Sequence, residues 1–128
     1  MDFLVEDQPV FAATGGVGFD PARSSLVLIH GAGMDHTVWG LQARWLAHHG
    51  VNVLALDLPG HGRSGGTAFS RVADDAQWLR NFLDAAGLER AALAGHSLGA
   101  LIALETAAKA PERISHLTLL GAAARMLV

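Results

Sequence analysis

Cysteine is absent from the 128 residues, which excludes disulfides and thiol chemistry. Basic side chains are few. Nine Lys and Arg stand against twelve Asp and Glu, for a net charge of -3. They are scattered rather than gathered into a stripe, so nucleic acid is excluded as a partner. No run approaches the roughly 18 apolar residues of a membrane span. The start, Met1-Asp2-Phe3-Leu4-Val5-Glu6-Asp7, lacks the basic region and long apolar core of a secretory leader. A soluble cytoplasmic protein with no membrane partner is expected. Seven histidines are present, but none forms a His-x-x-x-His pair or joins a carboxylate cluster along the chain. Neither a metal nor another cofactor is therefore expected.

Apolar residues, in contrast, are abundant. They make up 51% of the chain before its 15 glycines are counted, above the roughly 45–50% usual even with glycine included. A single domain over residues 1–128 is expected, with a composition that suits the interior of something larger. Near-continuous apolar runs are what a parallel sheet covered on both faces requires. If such a sheet is cut short, one of those strands becomes an edge, through which copies of the chain would associate.

The runs alternate with helical patterns. Phe3 to Glu6 and Val10 to Ala13, separated by Asp7-Gln8-Pro9, suggest a hairpin. Leu26 to His30 reads as the first buried parallel strand. Thr37 is placed to cap a helix that puts Val38, Leu41 and Trp45 on one face and ends at His48-His49-Gly50. Val51 to Leu56 is a second buried strand. Ser70 is expected to cap a helix reaching Ala86, with Val72, Ala76, Leu79 and Leu83 as its buried stripe and Gly87 as its stop. Ala91 to Ala94 forms another strand, Leu98 to Ala110 a helix halted by Pro111, and Ile114 to Leu120 a last strand. The expected class is α/β, a mostly parallel sheet with helices on both faces.

Three segments carry the chemistry. Gly95-His96-Ser97-Leu98-Gly99 sets a serine between two glycines where a strand must turn sharply into a helix, a pattern that holds a hydroxyl exposed at the strand's end. His30-Gly31-Ala32-Gly33 ends the first buried strand and suits a loop that lends a backbone amide to an oxyanion. Asp57-Leu58-Pro59-Gly60-His61-Gly62-Arg63-Ser64 follows the second. Both loops leave C-terminal ends of strands, where open α/β sheets bind ligands.

In this order and spacing the three segments resemble the N-terminal half of the alpha/beta-hydrolase superfamily, over about Met1 to Leu120. The resemblance implies a serine nucleophile, because the haloalkane dehalogenase and epoxide hydrolase branches carry aspartate where Ser97 stands. It makes Ser97 the nucleophile toward a small carbonyl substrate, the backbone amides of Leu98 and Ala32 the oxyanion hole, and His30 and Gly31 the residues that shape the oxyanion loop. It also implies an acid after a later strand and a histidine after the last one. The sequence fills neither place: Glu105 and Glu112 belong to the helix after Ser97 or its end, and His116 falls within a strand. A fold truncated after about the sixth strand, with little activity of its own, is the expectation.

Other readings remain open. His48 and His49 suit a helix C-terminus. His61 and His96 suit structural roles, and His36, just after the oxyanion loop, suits a turn. Trp39, Phe69 and Met126 suit core or pocket lining alike. The chain also reads as a non-catalytic binding remnant of the same fold. A dinucleotide-binding domain is the third reading, with Gly31 and Gly33 as a partial fingerprint and Asp57 at the ribose-binding place, although His36 occupies the third glycine position.

Overall fold

In the computed structural model, residues 1–121 are described. Six strands form one sheet in the order β1-β2-β4-β3-β5-β6. β1 (Asp2–Val5) and β2 (Gln8–Ala13) pair antiparallel, and β2 joins β4 (Asn52–Leu56) antiparallel through Ala12 and Ala13. β3 (Ser25–Ile29) lies parallel between β4 and β5 (Ala91–His96), and β6 (Ile114–Leu120) extends the parallel set from β5. The strands fall on the apolar runs, as a sheet covered on both sides demands.

Alternation along β3 divides the core. Val27 and Ile29 join Leu54, Leu56 and Leu93 against α2 (Val72–Ala85) and α3 (Leu98–Lys109), where Leu79, Phe82, Leu83 and Ile102 are buried. Leu28 turns the other way and joins Val53, Ala55 and Ala94 under α1 (Gly40–His48). Helices therefore cover both faces, as expected. Phe3 of β1 closes one end edge-to-face on Phe82, with ring centres 5.2 Å apart.

Four local expectations need correction. The β1–β2 turn is Glu6-Asp7, with φ of 50° and 64°, and Pro9 lies inside β2. Consecutive left-handed residues make the tight hairpin turn whose twist matches its strands, and aspartate tolerates that region better than most side chains. Asp35, not Thr37, caps the turn before α1, its carboxylate accepting the Thr37 N–H at 2.8 Å. A 3-10 turn over His36–Trp39 then shifts the helical phase, since it winds three residues per turn. As a result Trp39, Ala43 and Ala47 face the sheet, while Val38, Leu41 and Trp45 are 44%, 84% and 61% exposed. Finally, α2 starts after Arg71, which is extended and makes no side-chain cap bond, so Ser70 is not its cap.

The ends of α1 and α2 follow expectation. His48 and His49 turn their Nδ1 atoms onto the Arg44 and Trp45 carbonyls at 2.8 and 2.6 Å, capping α1. Gly87, with φ of 74°, ends the segment after α2. Trp39 is buried and Phe69 is 39% exposed; Met126 lies outside the described residues. No helix among the described residues is long and apolar enough to cross a membrane.

Candidate active site

β5 hands the chain to α3 through Ser97 alone. Its φ of 56° and ψ of -116° lie where side chains other than glycine are seldom found. Such a backbone costs on the order of 1–3 kcal/mol and persists only where packing enforces it. The packing is visible at the two flanking glycines. A Cβ on Gly95 would be driven into the Gly99 carbonyl, and one on Gly99 into the carbonyls of Ile29 and His30. Helix α3 can start this close to β3 and β5 only because both positions lack a side chain. The Ser97 N–H is held by the Leu120 carbonyl at 2.9 Å, which ties the bend to β6.

At this bend Ser97 is half-buried. Leu98 is the first residue of α3, so its N–H has no partner within the helix and points out at the positive end of the helix dipole. Gly31 sits opposite: a Cβ there would stand 3.3 Å from both the Ser97 Cβ and the Met34 Sδ. Ala32 follows on an exposed loop. Ser97, Leu98, Gly31 and Ala32 are thus brought to one rim of the sheet.

His30 is fully buried and does not face solvent. Its Nδ1 lies 2.7 Å from the Gly31 carbonyl, and its Nε2 accepts the Leu58 N–H at 3.0 Å. Since a carbonyl only accepts, Nδ1 carries the proton and the ring is the neutral tautomer. Burial holds its pKa below the ordinary histidine value, with the Gly31 carbonyl pulling the other way. Below pH 6.5 the unfolded chain takes up a proton that this ring refuses, so its contribution to stability falls as the pH drops.

The sequence did not reveal the partner of His36. Asp57, fully buried at the end of β4, accepts the His36 N–H at 2.7 Å and meets the His36 ring nitrogen at 3.0 Å. Its other oxygen accepts the Arg63 N–H at 2.9 Å. The signal was topological: β3 and β4 run parallel side by side, so the loops that follow them must meet. Asp35, His36 and Asp57 converge closely enough to suggest cation ligands. However, the Asp57 oxygens are occupied by His36 and Arg63, and Asp35 is engaged by Thr37. The same occupancy leaves Asp57 no free oxygen for a ribose, which removes the reason for the dinucleotide reading.

Behind this loop, Asp75 is 5% exposed on α2, and burial, reinforced by the neighbouring Asp74, pushes its pKa from 3.8 up to about 6, against the pull of His61. A carboxyl that binds its proton more tightly when folded contributes stability below pH 3.8 and loses it as the pH rises through about 6. Asp75→Asn is therefore expected to raise stability at pH 7 by up to about 3 kcal/mol and to change little at pH 3.5. Thermal unfolding at the two pH values checks it; an equal effect at both would show that burial of charge is not the cause.

An apolar cavity of about 240 Å³ opens beside the bend, lined by Met34, Val38, Trp39, Gln42, His96 and Leu120. Among the described residues, no imidazole hydrogen-bonds to the Ser97 hydroxyl. His96 borders the cavity instead, and His116 is exposed on β6.

The alpha/beta hydrolase fold model matches residues 25–127. A pimeloyl-[acyl-carrier protein] methyl ester esterase of Pectobacterium carotovorum is 40% identical over 96 residues, covering 74% of this chain and 35% of the relative. A dihydrolipoyllysine-residue acetyltransferase component of an acetoin cleaving system, from Pseudomonas putida, is 38% identical over 110 residues, covering 85% of this chain and 28% of the relative. The crystal structure of a membrane phospholipase A superposes with a TM-score of 0.83 at 36% identity, covering 93% of this chain and 38% of that one. This chain spans less than half the length of each. With its mostly parallel sheet, its bend at Ser97 and a family match over four-fifths of its length, the chain belongs to the alpha/beta hydrolase fold family.

Proposed function

We propose that Ser97 is the nucleophile of a serine hydrolase acting on ester-like carbonyl substrates. The left-handed backbone of Ser97, set between a strand end and a helix start, carries this reading. In the reaction the Ser97 oxygen bonds to the carbonyl carbon, its proton passes to a base, and the negative charge gathers on the carbonyl oxygen. The Leu98 and Ala32 amides would stabilise that charge, each donor being worth about 2.7–4 kcal/mol. Collapse expels the alcohol with a proton, and water then releases the acid and restores the serine. An apolar substituent of the substrate suits the cavity beside His96 and Leu120.

The base is the step that the described residues do not provide. We accordingly propose that this chain by itself hydrolyses activated esters barely or not at all. Mass spectrometry after exposure to p-nitrophenyl acetate tests the nucleophile. An acetyl group confined to Ser97, and absent from Ser97→Ala, supports it; equal labelling of both proteins would end it.

A second reading, a binding module that keeps the fold without turnover, is favoured by the lack, among the described residues, of an imidazole on Ser97. Self-association belongs to it. β6 pairs only with β5 among the described residues, and Leu117, Leu119 and Leu120 are 37%, 38% and 45% exposed. With His116 as the only ionisable side chain in Ile114–Leu120, two copies could pair edge to edge without opposing like charges. Sedimentation velocity is expected to show association that grows with concentration and is lost in Leu119→Lys; a monomer at all concentrations would exclude it.

A further inference from the structure

His61 stands outside the elements assigned above, in the loop after β4, yet it reaches across to the oxyanion loop. Its Nδ1 lies 2.9 Å from the Pro59 carbonyl, and its Nε2 accepts the Gly33 N–H at 3.1 Å. As with His30, the carbonyl can only accept, so Nδ1 holds the proton and Nε2 offers a lone pair. The two rings lie side by side, their centres 5.0 Å apart. Each anchors one peptide unit of the same loop. A peptide is planar and trans, so its carbonyl and the following N–H point in opposite directions from one rigid plate. His30, by holding the Gly31 carbonyl, sets the direction of the Ala32 N–H. His61, by holding the Gly33 N–H, sets the next plate, whose other end is the Ala32 carbonyl. The φ and ψ of Ala32 are thus fixed from both sides, which is notable for a residue exposed on a loop.

We propose that His61 is a positioning residue for the oxyanion hole: its bare Nε2 locks the Ala32-Gly33 peptide, so that Ala32 cannot turn about its φ and ψ away from the orientation in which His30 aims the Ala32 N–H at the carbonyl oxygen attacked by Ser97. The proposal rests on the reading of Ser97 as nucleophile and assigns the loop after β4 a part in it. Geometry favours this over simple loop packing. Three backbone N–H groups bond across between the two loops, Leu58 N–H to His30, Gly33 N–H to His61 and His36 N–H to Asp57, beside the contact of the His36 ring with Asp57, and all have one end on the oxyanion side between residues 30 and 36. The first and last clamp the base of that segment. At its tip the Met34 N–H closes the turn on the Gly31 carbonyl at 3.2 Å, and His61 is the residue of the facing loop that holds it there.

The test uses the full chain and two readouts. In the first, a through-hydrogen-bond coupling between the Gly33 nitrogen and the His61 Nε2 is sought by NMR, with amide exchange followed at Ala32 and Gly33. In the second, acetylation of Ser97 by p-nitrophenyl acetate is timed at pH 9 by intact mass, hydroxide standing in for the base, so that the rate reports the oxyanion hole. Expected are a coupling in the native chain, and in His61→Phe a faster exchange at both amides with acetylation slowed about tenfold to a hundredfold. The dependence on ester concentration should be unchanged. His61→Gln, whose amide oxygen can accept the Gly33 N–H, should recover most of the rate. Acetylation in His61→Phe at the native rate, or absence of the coupling in the native chain, would overturn the proposal. Should His61→Phe fail to fold, the coupling and His61→Gln decide alone, a rate in the latter as low as that of an unfolded chain counting against it. If Ser97→Ala acquires acetyl as fast as the native chain, the nucleophile reading fails, and the NMR readout still judges the loop.

Discussion

At neutral pH the chain is expected to hydrolyse p-nitrophenyl acetate about a millionfold more slowly than a serine hydrolase with its base in place, since loss of the histidine in a catalytic triad has an effect of that size. Oxyanion stabilisation and binding alone retain about a thousand- to ten-thousandfold over water even when the serine itself is gone, so that part should survive Ser97→Ala, whereas the acetyl-enzyme on Ser97 should not. Free imidazole in the buffer should raise the rate of the native chain more than that of Ser97→Ala, because a base from solution can take the proton that no described side chain reaches. Steady-state turnover in the common range of about 1–1000 per second, abolished by Ser97→Ala, would mean that a base reaches the hydroxyl after all.

The largest expected effect on stability comes from a single methyl group. Gly99→Ala should destabilise the fold by more than about 3 kcal/mol, beyond the usual range for overpacking, because its Cβ would meet the backbone carbonyls of Ile29 and His30, at the end of β3, rather than a yielding side chain. β3 and α3 would have to part, and the bend at Ser97 with them. The same substitution at Gly40 supplies the contrast. Gly40 has φ of -52°, begins α1 and has nothing within 4 Å of the added atom, so Gly40→Ala should stabilise by about 0.4–1 kcal/mol. Chemical denaturation of both variants checks the pair. Equal effects would show that close backbone approach is not what demands glycine at position 99.

Some of this was written plainly in the residues. The runs Leu26–His30, Val51–Leu56 and Ala91–Ala94 become strands because a sheet covered on both faces leaves no polar alternative, and the Gly95 to Gly99 pattern has few other uses. Where the sequence misled, the reason was local. Val38, Leu41 and Trp45 have helical spacing, but the 3-10 turn at His36–Trp39 rotates the helix so that small alanines face the sheet and the large side chains do not. Small residues bring a helix close; hydrophobicity alone does not say which way it turns. The cross-loop bonds of His30, His36 and His61 were beyond the sequence for a different reason. Each joins residues 21 or more apart, and only the pairing of β3 with β4 puts them together. Ring nitrogens that accept backbone amides leave no pattern in a single chain.

Because β3 lies between β4 and β5, the segments at Ala32, His61 and Ser97 all emerge from the same end of the sheet. The other end, where Ala22 and Arg23 lead exposed into β3, bears none of them. A fluorophore or affinity handle grafted there would report on folding or anchor the molecule to a surface while leaving the chemistry at the far rim undisturbed.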